Sequence, residues 1–427
     1  MIRRPLRIAT VRAFERSVRA AGFDVCVVPD SIGSDIHRPI GQRMREGQAL
    51  REFLDEQGAD LLIDTNASLL TFVPSASGAG PVALANAAAG VPYVSCYLDP
   101  ITSVMSQVPW DDHWRLLRHP DWTKGISDMA HQEELLRFGA ANVIRLPMAM
   151  VDRDFDTRPE PEPSPGPVVA FMGHPATSWF RSPHAVAPSQ LYAGMLAAAV
   201  HADMPDVPFH KIYYDLYQLA DPPRPQDDAD TLTRKAQQYF ADKFTYNAFL
   251  AIRQRDRWAR FLKSKLGDVF ELIGDYWGEN WGLPATPRIW DMDELYRRMR
   301  HVPICLNLIK GNMESGLILR HFEITACGGF MLTFPTPELS QFFEIGKECE
   351  VFTDEKDLLD KIAYYLDHPK QRYEIAAAGQ RRTLSENLYS HRIAHVVKVL
   401  RSAGMHKNNR ENADADFRTC VSTPART

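Results

Sequence analysis

Short apolar runs that do not alternate with polar residues recur along this chain, and each is separated from the next by a stretch of helical periodicity. No other feature limits the fold as much. In the first 150 residues the runs fall at 6–10, 23–29, 60–64, 91–98 and 142–149. Between them, residues 11–21, 49–57, 81–89 and 128–138 place apolar side chains at helical spacing. Gly22, Gly58, Gly90 and Gly139 follow these segments as stops, and Asp128 stands where an N-cap belongs. Residues 122–127 read as the approach to the last of these helices. A strand that is apolar throughout needs cover on both faces, which is the situation of a parallel sheet between two helix layers. Ligands of such a sheet lie beyond the carboxyl ends of its strands.

Residues 156–167 (DTRPEPEPSPGP) break the pattern with five prolines and three acids in twelve residues. Such a segment forms neither a helix nor a central strand and reads as a stiff linker. The pattern then restarts. Strands are expected at 168–172, 269–274, 302–308, 329–334 and 350–353. Helices are expected at 189–202, 231–266, 292–300, 317–327, 357–366, 371–384 and 390–403. The chain's 427 residues exceed what one core organises. The layout is therefore a first doubly wound domain over 1–155, the linker 156–167, a second doubly wound domain over 168–403, and a polar tail over 404–427 expected to be disordered. The crevice between two such domains is the natural place for a ligand.

Composition excludes some classes. A net charge of −5 with 24% charged residues leaves no basic footprint for nucleic acid. No apolar run reaches the roughly 18–20 residues of a membrane span. The opening MIRRPLRIAT is charged but lacks the apolar core of a secretory signal. A cytoplasmic protein is expected, with peripheral contact at the inner face of a membrane left open. Six cysteines (Cys26, Cys96, Cys305, Cys327, Cys349, Cys420) form no CxxC and read as small buried hydrophobes.

The chemistry-bearing signal lies in 302–334. A strand runs into a loop holding Lys310, Gly311 and Asn312, then a helix, then Gly328-Gly329 and another strand. Free N–H groups and the positive dipole at the start of such a helix suit a diphosphate. Glu323, further along it, could accept two ribose hydroxyls. Arg320 is either a phosphate partner or the i,i+3 partner of Glu323. Gly173-His174 ends the first strand of the second domain, where glycine permits close backbone approach and His174 could donate to a phosphate or assist a leaving group. Asp99 ends the strand at 91–98 and faces the crevice; it is the first candidate for a general base, against a plain Asp-Pro turn. Asn66, after the strand at 60–64, is a candidate contact for an acceptor. Trp277, Trp281 and Trp290 read as packing before they read as stacking platforms. Asp291 and Asp293 spell a DxD, but they sit at an expected helix N-terminus, where acids are favoured electrostatically.

Residues 320–333, RHFEITACGGFMLT, with the following ELSQFFEIGKECEVFTDEKDLLDKIAYYLDHPKQRYEIAAAGQRRTLSENLYSHR, resemble the C-terminal signature of bacterial group-1-type glycosyltransferases, closest to the CgeB-like (spore-maturation) branch. VPYVSCYLDP, SDMAHQEELLRFGAANVIRLPMA and VVAFMGH resemble, in order, earlier segments of that family. The resemblance implies a GT-B fold: two doubly wound Rossmann-like domains facing a cleft, with the last helix packing back on the first domain. It implies transfer of a sugar from a nucleotide-activated donor to a cell-surface glycan, glycolipid or protein acceptor. It implies no cofactor and no metal. Gly173, Lys310, Gly311, Asn312, Glu314, Ser315, Arg320 and Glu323 are then donor-binding, Asp99 and His174 catalytic, and Asn66 acceptor-side. The family's first glutamate stands eight positions before the second; here that position is Ser315, and Glu314 is nine before Glu323. Alternatives are a non-catalytic binding protein of the same fold in surface or coat assembly, and a nucleotide-sugar epimerase.

Overall fold

The computed structural model describes residues 5–33, 40–74, 82–101, 116–158, 166–176, 207–308 and 313–403, with a few isolated positions between them. Most of the expected helix at 189–202, most of the Pro-rich linker, and the tail 404–427 lie outside the described residues.

The apolar runs become strands of two parallel sheets. The first holds β1 (Arg7–Thr10), β2 (Asp24–Val27), β3 (Leu61–Thr65), β6 (Tyr93–Cys96), β7 (Thr123–Ile126) and β8 (Val143–Arg145), in the order β2-β1-β3-β6-β7-β8. A separate antiparallel pair, β4 (Phe72–Pro74) and β5 (Val82–Leu84), lies beside it. The second sheet holds β9 (Val169–Met172), β10 (Phe270–Ile273), β11 (Ile304–Asn307), β12 (Met331–Thr333) and β13 (Glu350–Val351), in the order β10-β9-β11-β12-β13. Both are doubly wound, as expected. The expected glycine stops also appear: Gly22, Gly58, Gly90 and Gly139 all have positive φ.

Two first-domain expectations need correction. Residues 122–127 are not merely an approach to a helix, because they contain β7. A Lys-Gly pair in the middle of four residues hides the strand from an apolar-run criterion. Lys124 is nonetheless fully buried, its ammonium donating to the Ala141 carbonyl at 2.9 Å and lying 4.7 Å from the Trp122 ring centre. The helix expected at 81–89 shrinks to Ala85–Ala88, because Val82–Leu84 pairs with Phe72–Pro74 instead. Gly47 makes room for that pair: a Cβ there would lie 1.8 Å from the Phe72 carbonyl oxygen.

The chain crosses between the domains more than once. Leu146 and Ala149 pack into the first domain, while Met148 and Met150 already pack into the second. The crossing is thus under way before the prolines begin. The connection from β9 to β10 is long and returns to the first domain. There the helix Ala229–Ala251 and the π-helical turn Lys211–Leu216 join an aromatic core, with Tyr239 and Phe240 at 5.3 and 5.2 Å from Phe138. The sequence division at 168 misses this, since helical periodicity says nothing about which sheet a helix covers. After the π-helical turn Ile252–Asp256, the helix Arg257–Leu266 brings Trp258 and Leu262 back onto the second sheet. The last helix, Tyr389–Ser402, crosses back as expected. Tyr389 packs against Phe14 with ring centres 4.6 Å apart, and Asp152 accepts from the Ser390 backbone N–H (2.9 Å) and hydroxyl (2.6 Å).

Candidate active-site cleft

Each sheet reverses its strand order beside its first strand, between β1 and β3 and between β9 and β11. A doubly wound sheet opens a crevice at that reversal, outside the carboxyl ends of its strands. Contacts between loops at these ends show that the two sheets turn them toward each other.

The contacts form a charged seam. Asp128 caps the helix Met129–Arg137, accepting from the His131 N–H at 3.2 Å. Its other oxygen accepts from the backbone N–H groups of Glu314 (2.8 Å), Ser315 (2.9 Å) and Gly316 (2.9 Å) of the second domain. Burial opposes its charge, yet His131 and these N–H donors outweigh burial and hold its pKa below the usual carboxylate range. Gly316 is required for the approach: a Cβ would lie 2.9 Å from the Ser127 carbonyl oxygen. Deeper in, the Lys243 ammonium pairs with both Glu134 and Glu314, and all three side chains are almost wholly buried. Burial would lower the Lys243 pKa, but the two carboxylates raise it. Glu314 is driven down despite its burial, first by Lys243 and then by His131, 3.6 Å away. Arg145 pairs with Glu338, and Glu338 accepts from the Met129 N–H at 3.0 Å. His131, Glu134 and Glu314 are close enough to hold a metal ion, but the Lys243 ammonium already supplies the cation there.

The second rim lies at β9 and β11. Arg255, in the π-helical turn and 5% exposed, donates to the His174 carbonyl at 3.2 Å and twice to the Leu308 carbonyl at 3.3 and 3.0 Å. It thereby ties together the two loops that flank the reversal. Burial lowers its pKa to about 10 against the charge of Asp256, and Arg320 pushes it the same way as burial. It remains cationic at neutral pH. A guanidinium fixed between the two strand-end loops favours an anion in the crevice beside them.

The third rim belongs to the first domain. Asn66 and Ala67 follow β3 with φ of 50° and 55°, left-handed values rare for residues with a side chain. The Asn66 carboxamide oxygen accepts from the Leu98 and Asp99 N–H groups at 2.9 and 3.2 Å, and its amide donates to the Asp99 carboxylate at 3.1 Å. Asp99 is exposed at this rim.

The expected site residues separate accordingly. Asn66 and Asp99 are brought together. His174 lies at the β9 end with Nδ1 beside the Asp275 backbone, 3.0 Å from its N–H and 3.4 Å from its carbonyl oxygen. Gly173 is explained by packing: a Cβ would lie 2.8 Å from the Phe171 ring, and its carbonyl accepts from Trp277 at 2.8 Å. Arg320 and Glu323 pair with each other at 2.9 Å, with Glu323 8% exposed and Arg320 reaching across to Met299 of the neighbouring helix Met292–His301. Glu314 and Ser315 are not open to a ligand here. Lys243, Phe209 N–H, Asp128 and Glu338 occupy their polar atoms. Lys310, Gly311 and Asn312 lie outside the described residues. Trp277 is fully buried, Trp281 donates to Asp256 at 2.9 Å, and Trp290 is exposed beneath Arg288. Asp291 caps its helix, accepting from the Asp293 and Glu294 N–H groups. Among the described residues, Cys26, Cys96, Cys305, Cys327 and Cys349 are free and buried, and no helix is long and apolar enough to cross a membrane. Nothing in the sequence singles out Arg255 or Lys243. Only Asp128 carried a signal, as an N-cap.

Residues 253–398, about a third of the chain, match the Glycosyl transferase-like family model. No curated protein matches the sequence. Solved structures with a similar course include sucrose-phosphate synthase from Thermosynechococcus elongatus (12% identity, 93% of this chain and 98% of that one, TM-score 0.46). An α,α-trehalose-phosphate synthase (UDP-forming) from Burkholderia vietnamiensis matches at 12% identity over 93% of this chain and 99% of that one, with TM-score 0.45. Anabaena HepE in complex with UDP matches at 12% identity over 93% of this chain and 100% of that one, with TM-score 0.43.

Proposed function

We propose that this protein is a GT-B glycosyltransferase that binds a nucleotide-activated sugar in the cleft and transfers the sugar to a surface glycan, glycolipid or protein acceptor. The observation that carries the reading is the glycosyl transferase-like segment 253–398, which supplies both Arg255 and the Arg320–Glu323 pair at the β9/β11 reversal. The donor diphosphate lies against this cationic crevice. Glu323 takes the ribose hydroxyls by exchanging its Arg320 partner for them, which frees Arg320 for phosphate. Across the cleft, Asp99 accepts the proton of the attacking hydroxyl. Asn66 holds that carboxylate in place. His174, held at the β9 end by the Asp275 backbone, faces the leaving diphosphate as a donor. The chain needs no metal for this scheme, because guanidiniums carry the phosphate charge.

A thermal-shift screen of nucleoside diphosphates and nucleotide sugars tests the reading. A ligand at 100 times its Kd adds about 2.7 kcal/mol, which a melting curve resolves. Binding, accompanied by slow release of free nucleotide from the sugar donor, is expected. Failure of every nucleotide to bind would instead support a non-catalytic member of the fold.

A further inference from the structure

The turn that carries Asn66 is held in a costly shape, and the structure shows what holds it. Two consecutive non-glycine residues at φ 50° and 55° persist only where their surroundings over-determine them. Beneath the turn lies Asp64, in β3, whose side chain is completely buried. One of its oxygens accepts from the Leu69 N–H at 2.6 Å, the Tyr93 hydroxyl at 2.8 Å and the Ser68 hydroxyl at 3.2 Å. Leu69 and Ser68 form the far side of the turn, and Tyr93 belongs to β6, the strand that leads to Asp99. The turn is also fixed at its start, where the Asn66 N–H donates to the Cys96 carbonyl at 3.0 Å. A single carboxylate therefore ties β6 to the descending limb of the turn, and Asn66 at its tip ties the turn to Asp99.

We propose that Asp64 is a positioning residue for the first-domain half of the active site. Its carboxylate fixes the 66–69 turn, so that Asn66 holds the Asp99 carboxylate at one place on the cleft rim. The proposal rests on the reading of Asp99 as the base. Burial pushes its pKa up to about 6, against the hydrogen bonds that lower it, so the ionised form is costly in the folded state. No cation contacts it among the described residues.

The test is steady-state hydrolysis of UDP-glucose and other nucleotide sugars by the full chain. Asp64→Ala is expected to lower kcat by ten- to a hundredfold, the size of effect a misplaced group causes, with KM for the donor within about twofold of the parent's. Asp64→Asn keeps an oxygen that can accept the same three donors and is expected to restore most of the lost kcat. Asn66→Ala, at the partly exposed tip, is expected to reproduce the Asp64→Ala loss; it carries the test if Asp64→Ala fails to fold. Combining either change with Asp99→Asn should cost no more than Asp99→Asn alone. Parent-like kcat in Asp64→Ala, or losses that multiply with Asp99→Asn, would overturn the proposal. Undiminished kcat in Asp99→Asn sinks the base reading separately. In that case Asp64→Ala and Asn66→Ala must still share one non-additive loss, and multiplying losses would overturn the role of Asp64 as well.

Discussion

Two groups of carboxylates meet the cleft, and they are treated in opposite ways. At the seam, Asp128, Glu134 and Glu314 are buried, and each is matched by a cation, by backbone N–H groups or by both. At the first-domain rim, Asp99 is exposed, and its neighbour Asn66 both donates to it and shapes the backbone that carries it. A buried, fully matched acid holds two bodies together. An exposed acid held at one point is available to take a proton. The same residue type therefore does structural work in one place and can do chemical work about thirty residues away.

The contrast is easiest to break at the seam. Lys243→Met leaves Glu134 and Glu314 buried without their cation and should cost about 3–5 kcal/mol, read as a lower denaturation midpoint. Replacing all three by apolar residues should recover much of that loss. Gly316→Ala forces a Cβ against the Ser127 carbonyl oxygen and should cost about 1–3 kcal/mol, with the domains loosened more than either core. At the rim, Asp99→Asn should lower turnover by about a hundredfold or more, to a residual rate that can still be measured, while leaving both the melting temperature and donor affinity near parental values. Opposite behaviour at the two places would establish the division, and a large stability loss from Asp99→Asn would erase it.

The seam also has a pH signature. Glu314 and Asp128 are held below their ordinary range, so their contribution is present above the unfolded carboxylate pKa and is lost as pH falls through the lowered folded values. His131 runs the other way. Burial lowers its pKa, but Asp128 and then Glu314 raise it overall, so its contribution is present below its unfolded pKa of about 6.5 and is lost as pH rises through the folded value. Glu134 is raised by burial and partly offsets the first effect. His131→Gln should therefore lower the melting temperature most near pH 5.5–6, and the gap to the parent should narrow toward pH 9. A gap that stays constant would mean His131 is neutral in the fold. The smallest expected effect is at the strained turn: Ala67→Gly relieves a left-handed residue but frees the unfolded chain, for a net change within about 1 kcal/mol.

The doubly wound sheets were legible because buried strands carry continuous apolar runs. β7 was not, because Lys124 and Gly125 interrupt a strand of only four residues. The return of Ala229–Ala251 to the first domain was not legible either, since periodicity marks a helix face without naming its partner. In the cleft, Asp99 and Asn66 were readable as strand-end polar residues, but their mutual hold was not. It depends on a left-handed turn, a conformation Asn66 favours by type but Ala67 does not. Glu314 looked like a ligand because of its distance from Glu323. The structure turns it instead toward Lys243, seventy-one residues away in sequence and on a different body. Arg255 was invisible in a helical run of charged residues, and its importance comes from the strand ends it bridges.

The central claim is that the second domain holds a nucleotide-activated sugar through Arg255, Arg320 and Glu323. Isothermal titration of nucleoside diphosphates into the parent and into Glu323→Ala tests it most directly. The account predicts binding by the parent and affinity weakened more than about tenfold in the variant, or roughly 1.4 kcal/mol. Equal dissociation constants for the two proteins would contradict it.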